Sequence, residues 1–148
     1  MLSDDLLAGI AGGLAGRLRS LVMALDRLDR LESGSGTWRA RFEAEELPDA
    51  ATELTLRALR ISADPRTFAI LKALAAEDTR SLSRLMEETG LGRLVLSERL
   101  NDLVQVGLAT RLIDTDHAQI TAAGAGIVRL VEALIADVAK QYLEDKRY

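Results

Sequence analysis

The run SLSRLMEETGLGRLVLSERLNDLVQVGL, residues 81–108, decides the fold. Ser81 can cap a helix whose apolar positions Leu82, Leu85 and Met86 recur at helical spacing. That helix stops at Thr89-Gly90, since glycine takes up the left-handed C-cap conformation without strain. Leu91-Gly92-Arg93 makes a short turn, and a further helix runs from about 94 to 106 until Gly107 ends it. Leu96, Leu100 and Leu103 share one side of this helix. Two helices joined by a glycine-containing turn form a helix-turn-helix.

Upstream, Asp64-Pro65 supplies a cap and a first helical residue. Phe68, Leu71, Leu74 and Ala75 then mark one face of a helix ending near Glu77, the first of three. Downstream, Leu108–Ile113 reads as a strand, residues 114–117 as a polar turn and Ala118–Thr121 as the returning strand. Thr121 caps a long helix whose Ile127, Val128, Leu130, Val131, Leu134, Ile135 and Val138 form a broad apolar face. A face so wide calls for a partner, either another subunit or the N-terminal helix.

The first 57 residues add a helical extension. Leu7, Leu14, Leu21 and Leu28 recur every seven residues, with Ala11, Leu18 and Leu25 four residues after the first three. Ser3 is the expected cap, with Asp4 and Asp5 at the positive end of the helix. The pairs Gly9/Gly13 and Gly12/Gly16 leave a smooth strip for close approach of a second helix. The pattern predicts a dimer helix, with an intramolecular bundle helix as the alternative. Ser33-Gly34-Ser35-Gly36 is a flexible break. Trp38 and Phe42, one turn apart, anchor a short helix ending near Leu47-Pro48, and Asp49 can cap another running to about Ile61.

The expected fold is therefore mainly α: a winged helix-turn-helix with a small two-stranded β-wing, an N-terminal helical extension and a long C-terminal helix. Residues 1–57 and 122–148 are the expected dimerisation elements, and residues 58–121 the winged domain.

Composition narrows the chemistry. Of the 148 residues, 48% are hydrophobic and 28% charged, which suits a folded domain, and the 3% of aromatics leave the core to aliphatic side chains. With no cysteine and only His117, disulfides, thiolate sites and the usual zinc or iron sites are not expected. No phosphate-binding loop and no nucleophile–His–Asp set is present, so no enzymatic activity and no cofactor are expected. Adjacent Glu87 and Glu88 point about 100° apart on a helix and read as solvated surface. Asp4 and Asp5 stand where a signal peptide needs basic residues, and the charge-free run Leu6–Gly16 is short for a membrane span. These features lead to the expectation of a soluble, cytoplasmic protein with no membrane partner.

The stretch from Ala58 to Leu71, with Ala63-Asp64-Pro65-Arg66 and Ile70-Leu71, resembles the opening of ArsR-type winged-helix regulators. Leu96–Leu108 is similar to that family's recognition helix, with its serine and closing Gly-Leu. Ile120-Thr121-Ala122-Ala123-Gly124 resembles the Leu-Thr-x-x-Gly that follows the wing in several winged-helix families, and the MarR and HxlR branches share these features. The resemblance covers roughly residues 58–135. It implies a homodimeric transcription regulator that binds double-stranded DNA, with the third helix in the major groove and the wing near the minor groove. Metal sensing, which needs Cys, His and carboxylate ligands, does not carry over, and the sequence names no small-molecule effector. Any effector pocket is expected in an apolar cleft between the extension and the winged domain.

The outward face of the third helix carries Leu94, Ser97, Glu98, Asn101, Asp102 and Gln105. Asn101 and Gln105 can pair with adenine, Ser97 with a phosphate or base edge, and Leu94 with a thymine methyl. Positive charge comes from Arg93, Arg99 and Arg84, and the wing offers Arg111 and His117. Glu98, Asp102, Asp114 and Asp116 oppose it, and the whole chain carries net charge −4. The alternative function is thus a degenerate winged helix that serves protein–protein interaction without binding DNA.

Overall fold

The structure is a computed structural model and describes residues 4–32, 34, 36–77 and 79–145. The expected cap Ser3 and the serines of the break, Ser33 and Ser35, lie outside the described residues. The chain folds as α1 (Asp4–Glu32), α2 (Trp38–Glu45), α3 (Leu47–Ser62), α4 (Pro65–Ala76), β1 (Thr79–Ser81), α5 (Leu82–Thr89), α6 (Arg93–Gln105), β2 (Ala109–Leu112), β3 (His117–Ile120) and α7 (Ala122–Asp145).

Local chemistry sets most boundaries of the winged part. The Asp64 carboxylate accepts the backbone N–H groups of Arg66 (2.9 Å) and Thr67 (3.1 Å), two donors that the first turn of α4 cannot pair internally. The Thr67 amide in particular holds the Asp64 carboxyl below its ordinary pKa; partial burial works the other way, and Arg99 adds to the lowering. Ser81 Oγ accepts from Arg84 N at 3.1 Å to start α5, and Gly90 ends it at φ 73°. Thr121 does two jobs: its hydroxyl donates to the Gly107 carbonyl (2.7 Å) and accepts from Gly124 N (3.1 Å), tying the start of α7 to the end of α6.

Ile70, Leu71 and Leu74 of α4, Leu82 and Leu85 of α5, and Leu96, Leu100 and Leu103 of α6 are fully buried. Leu108 and Ile127 close this core from the wing side and from α7. The wing is a three-stranded antiparallel sheet in the order β1-β3-β2, with Arg80 opposite Ala118 and Ala118 opposite Arg111. β1 adds a strand to the expected pair. It is three residues long, and its buried Arg80 pairs with Glu77 and Glu88, so no alternating pattern announces it. The expected start of the last helix of the N-terminal extension at Asp49 is also corrected. α3 begins at Leu47 because Pro48, with its fixed φ and missing N–H, suits the first turn, and Asp49 becomes an acid within that turn.

α1 lies across α7. Leu6, Ile10 and Leu14 join the winged core, and Arg17 Nε donates to the carbonyl of Gln105 at 2.9 Å. The helices approach closely at Gly13, where a Cβ would stand 2.5 Å from that of Ala123; Gly9, Gly12 and Gly16 face open space. By length and composition α1 could cross a membrane, yet its Leu6–Leu14 face packs on the winged core instead. Of the four leucines in the seven-residue series only Leu14 is buried; Leu7, Leu21 and Leu28 are exposed, as is Leu25. α7 divides the same way: Ile127 and Val128 are buried, whereas Leu134, Ile135, Val138, Tyr142 and Leu143 are exposed. Trp38 and Phe42 stack with ring centroids 5.3 Å apart. Two apolar grooves border the extension, one of about 390 Å³ between α1 and α3 and one of about 300 Å³ between α3, α4 and α7.

Candidate nucleic-acid interface

Three inward leucines fix the rotation of α6 about its axis. With Leu96, Leu100 and Leu103 at zero exposure, Leu94, Glu98 and Asn101 must emerge on the other side. Leu94 is 72% exposed, high for a leucine. Glu98 and Asn101 are exposed and Ser97 and Asp102 half-buried; among the described residues none of these four side chains makes a hydrogen bond or ion pair. The result is an open line of side chains running down α6 from Leu94 to Asn101.

The cations around this line are all engaged. Arg93, in the first turn of α6, places Nη2 3.2 Å from Asp116 Oδ2. Arg111 of β2 places Nη2 3.7 Å from the other oxygen of the same carboxylate. Arg84 Nε is 2.9 Å from Glu88 Oε1, and its Nη1 is 3.8 Å from Glu87 Oε2. His117 Nδ1 lies 2.5 Å from the Thr115 carbonyl oxygen at the wing turn. Fold and turn therefore bring Arg93, Leu94, Arg111 and His117 to one end of α6.

Two of the expected contacts turn elsewhere. Arg99 reaches back to the start of α4, with Nη1 3.4 Å from Asp64 Oδ2. Gln105 accepts from Arg57 Nη2 at 3.1 Å through its side chain and from Arg17 through its carbonyl, so the last turn of α6 is moored to α3 and α1. Asp116 is the residue whose role the sequence conceals. It was legible as an opposing charge, but its bridge to a helix residue 23 positions away is a tertiary fact.

No protein-family model matches the chain, and no curated protein matches it. Among solved structures it is similar to the homodimeric winged helix-turn-helix DNA-binding domain, fragment 1–100, of a possible ArsR-family transcriptional regulator from Mycobacterium bovis. The match has 26% sequence identity and a TM-score of 0.53, and covers 68% of this chain and 92% of that one. This chain is a winged helix-turn-helix protein. Within the winged helix-turn-helix frame, α5 and α6 are the two helices of the motif, β2 and β3 form the hairpin of the three-stranded wing, and the resemblance to ArsR-type regulators seen in residues 58–135 extends to the fold.

Proposed function

We propose that the protein is a dimeric, DNA-binding transcription regulator acting in the cytoplasm, with α6 entering the major groove and the wing lying near the minor groove. The observation that carries this reading is the open line Leu94–Asn101 on a helix otherwise fixed by three buried leucines, flanked by Arg93 and the wing's Arg111. A side chain meant to read bases has to be free of intramolecular partners, and these are. Arg93 and Arg111 supply phosphate contacts, Asn101 and Ser97 the base edges, and Leu94 a thymine methyl. The dimeric, DNA-binding Mycobacterium bovis domain supports the same reading. Pairing through the exposed apolar strips of α1 and α7 doubles the few arginines available and sets two α6 helices for half-sites about one DNA turn apart. The reading is non-enzymatic and needs no cofactor.

One observation favours the second reading, a protein-interaction module. Glu98 and Asp102 sit on the outward side, and every arginine beside it is already held by an acid. Fluorescence-anisotropy titration against random-sequence duplex DNA at low salt separates the two. Saturable binding that Arg93→Ala weakens for all sequences, while Asn101→Ala relaxes preference by about 1–3 kcal/mol at one base pair, supports the regulator. No affinity for any duplex puts the interaction module first.

A further inference from the structure

Asp116 is placed with unusual firmness for a wing-turn residue. Its φ of 53° lies in the left-handed region, which Asp and Asn tolerate better than most side chains. Its carbonyl accepts the N–H of Leu82 at 3.1 Å, and β3 begins at the next residue. The carboxylate is therefore carried on a tethered turn, between an arginine of the motif helix and an arginine of the wing. One oxygen faces Arg93 and the other faces Arg111. This is how two guanidinium groups share a backbone phosphate: one anion, two oxygens, two donors.

We propose that Arg93 and Arg111 together form a single phosphate-binding position of the DNA interface, and that Asp116 fills it with an internal carboxylate until DNA displaces it. The inference rests on the DNA-binding reading of this face and adds to it a gate. The Arg93 pair is open to water, with side-chain exposures of 60% for Arg93 and 48% for Asp116, and Arg111 is half-buried at 26%; solvent-accessible pairs of this kind add little to stability. A polyanion can thus exchange for the carboxylate without unfolding the wing. Such a gate makes the arginines available only to a phosphate positioned well enough to replace Asp116.

The variant that tests this is Asp116→Asn, since asparagine keeps the left-handed turn and the backbone bond to Leu82 while losing the charge. Asp114→Asn is the control: it removes an equal charge from the same exposed turn, and Asp114 has no ion pair among the described residues. Both are compared with wild type, in full-length chain, for binding to random-sequence duplex across a salt series. The melting temperature of each should stay close to wild type. The gate predicts that Asp116→Asn binds roughly tenfold tighter at low salt with a salt slope close to that of wild type, since both complexes place the same two arginines on phosphate; loss of both arginines should flatten the slope by about 1.8 per subunit, about 0.9 for each. Asp114→Asn should change affinity less than about threefold, and the gain should vanish when Asp116→Asn is combined with Arg93→Ala and Arg111→Ala. If wild type binds DNA but the two acid variants behave alike, or the gain survives loss of both arginines, the gate is wrong and the DNA reading stands. If neither wild type nor Asp116→Asn binds any duplex, both fall.

Discussion

Leucine has opposite fates in the two halves of this molecule. In the winged core Leu71, Leu74, Leu100 and Leu103 have no exposed surface, whereas along α1 and the second half of α7 Leu28, Leu31, Leu134 and Leu143 keep 55–82% of theirs. Both regions show apolar residues at helical spacing, so the spacing alone does not distinguish them. The difference lies in what stands opposite. α4, α5 and α6 face one another across a wing that closes the fourth side, and each leucine loses its whole hydration shell. The arm is only partly covered: α1 packs on the start of α7, and beyond Val131 α7 has no cover among the described residues. An apolar strip of that length on a charged chain is a surface awaiting a partner, and in the proposed regulator that partner is a second copy.

The largest expected effect is in the core. Leu100→Ala should cost about 2–5 kcal/mol of folding stability in denaturant titration, because a close-packed site cannot collapse around the missing atoms. Leu28→Ala should lower fold stability far less in the monomeric chain; a cost equal to that of Leu100→Ala would erase the distinction between the regions.

A paired substitution at the arm's crossing sharpens the picture. Gly13→Ala drives a methyl group into Ala123 and should destabilise by about 1–3 kcal/mol, whereas Gly12→Ala, in open space, should stabilise α1 by about 0.5–1 kcal/mol. Opposite signs one residue apart, read as shifts in melting temperature, would establish that α1 seats on α7 through its Gly13 side.

A smaller effect should follow pH. Asp64 has its pKa lowered in the folded chain, chiefly by the Thr67 amide, so its contribution is present above the ordinary carboxylate range and is lost as pH falls through the lowered value. Asp64→Ala should lower the melting temperature at pH 7, and the gap to wild type should narrow steadily below about pH 4. A gap that is independent of pH would mean that the carboxylate charge plays no part. Zinc should have the least effect. No cluster of three metal-ligating side chains exists among the described residues, and added zinc should give no saturable, His117-dependent shift in melting temperature.

What the sequence disclosed and what it hid follow the same division. Asp64-Pro65, Ser81, Gly90 and Thr121 act on backbone groups two to four residues away, so their roles can be read from neighbours in the chain. The inward set Leu96, Leu100 and Leu103 was legible for the same reason, and it fixed the outward set without further information. α1 was harder. Its most regular leucines follow a seven-residue rule, but the side it turns to the core carries Leu6, Ile10 and Leu14, because the docking site on α7 chooses the face. The candidate arginines are legible in the sequence as residues but not as members of ion pairs. Arg93 with Asp116, Arg99 with Asp64 and Gln105 with Arg57 are all long-range pairs that only folding creates.

Sedimentation velocity separates a reading core with a pairing arm from a chain that stays single. The full chain at micromolar concentration is compared with a Leu25→Ser/Leu28→Ser variant whose circular dichroism confirms retained helix. Wild type should sediment at twice the mass of one chain and the variant should shift toward monomer, since both leucines are exposed and neither belongs to the core. A wild-type chain that sediments as a monomer at this concentration, or a variant that remains as dimeric as wild type, would contradict it.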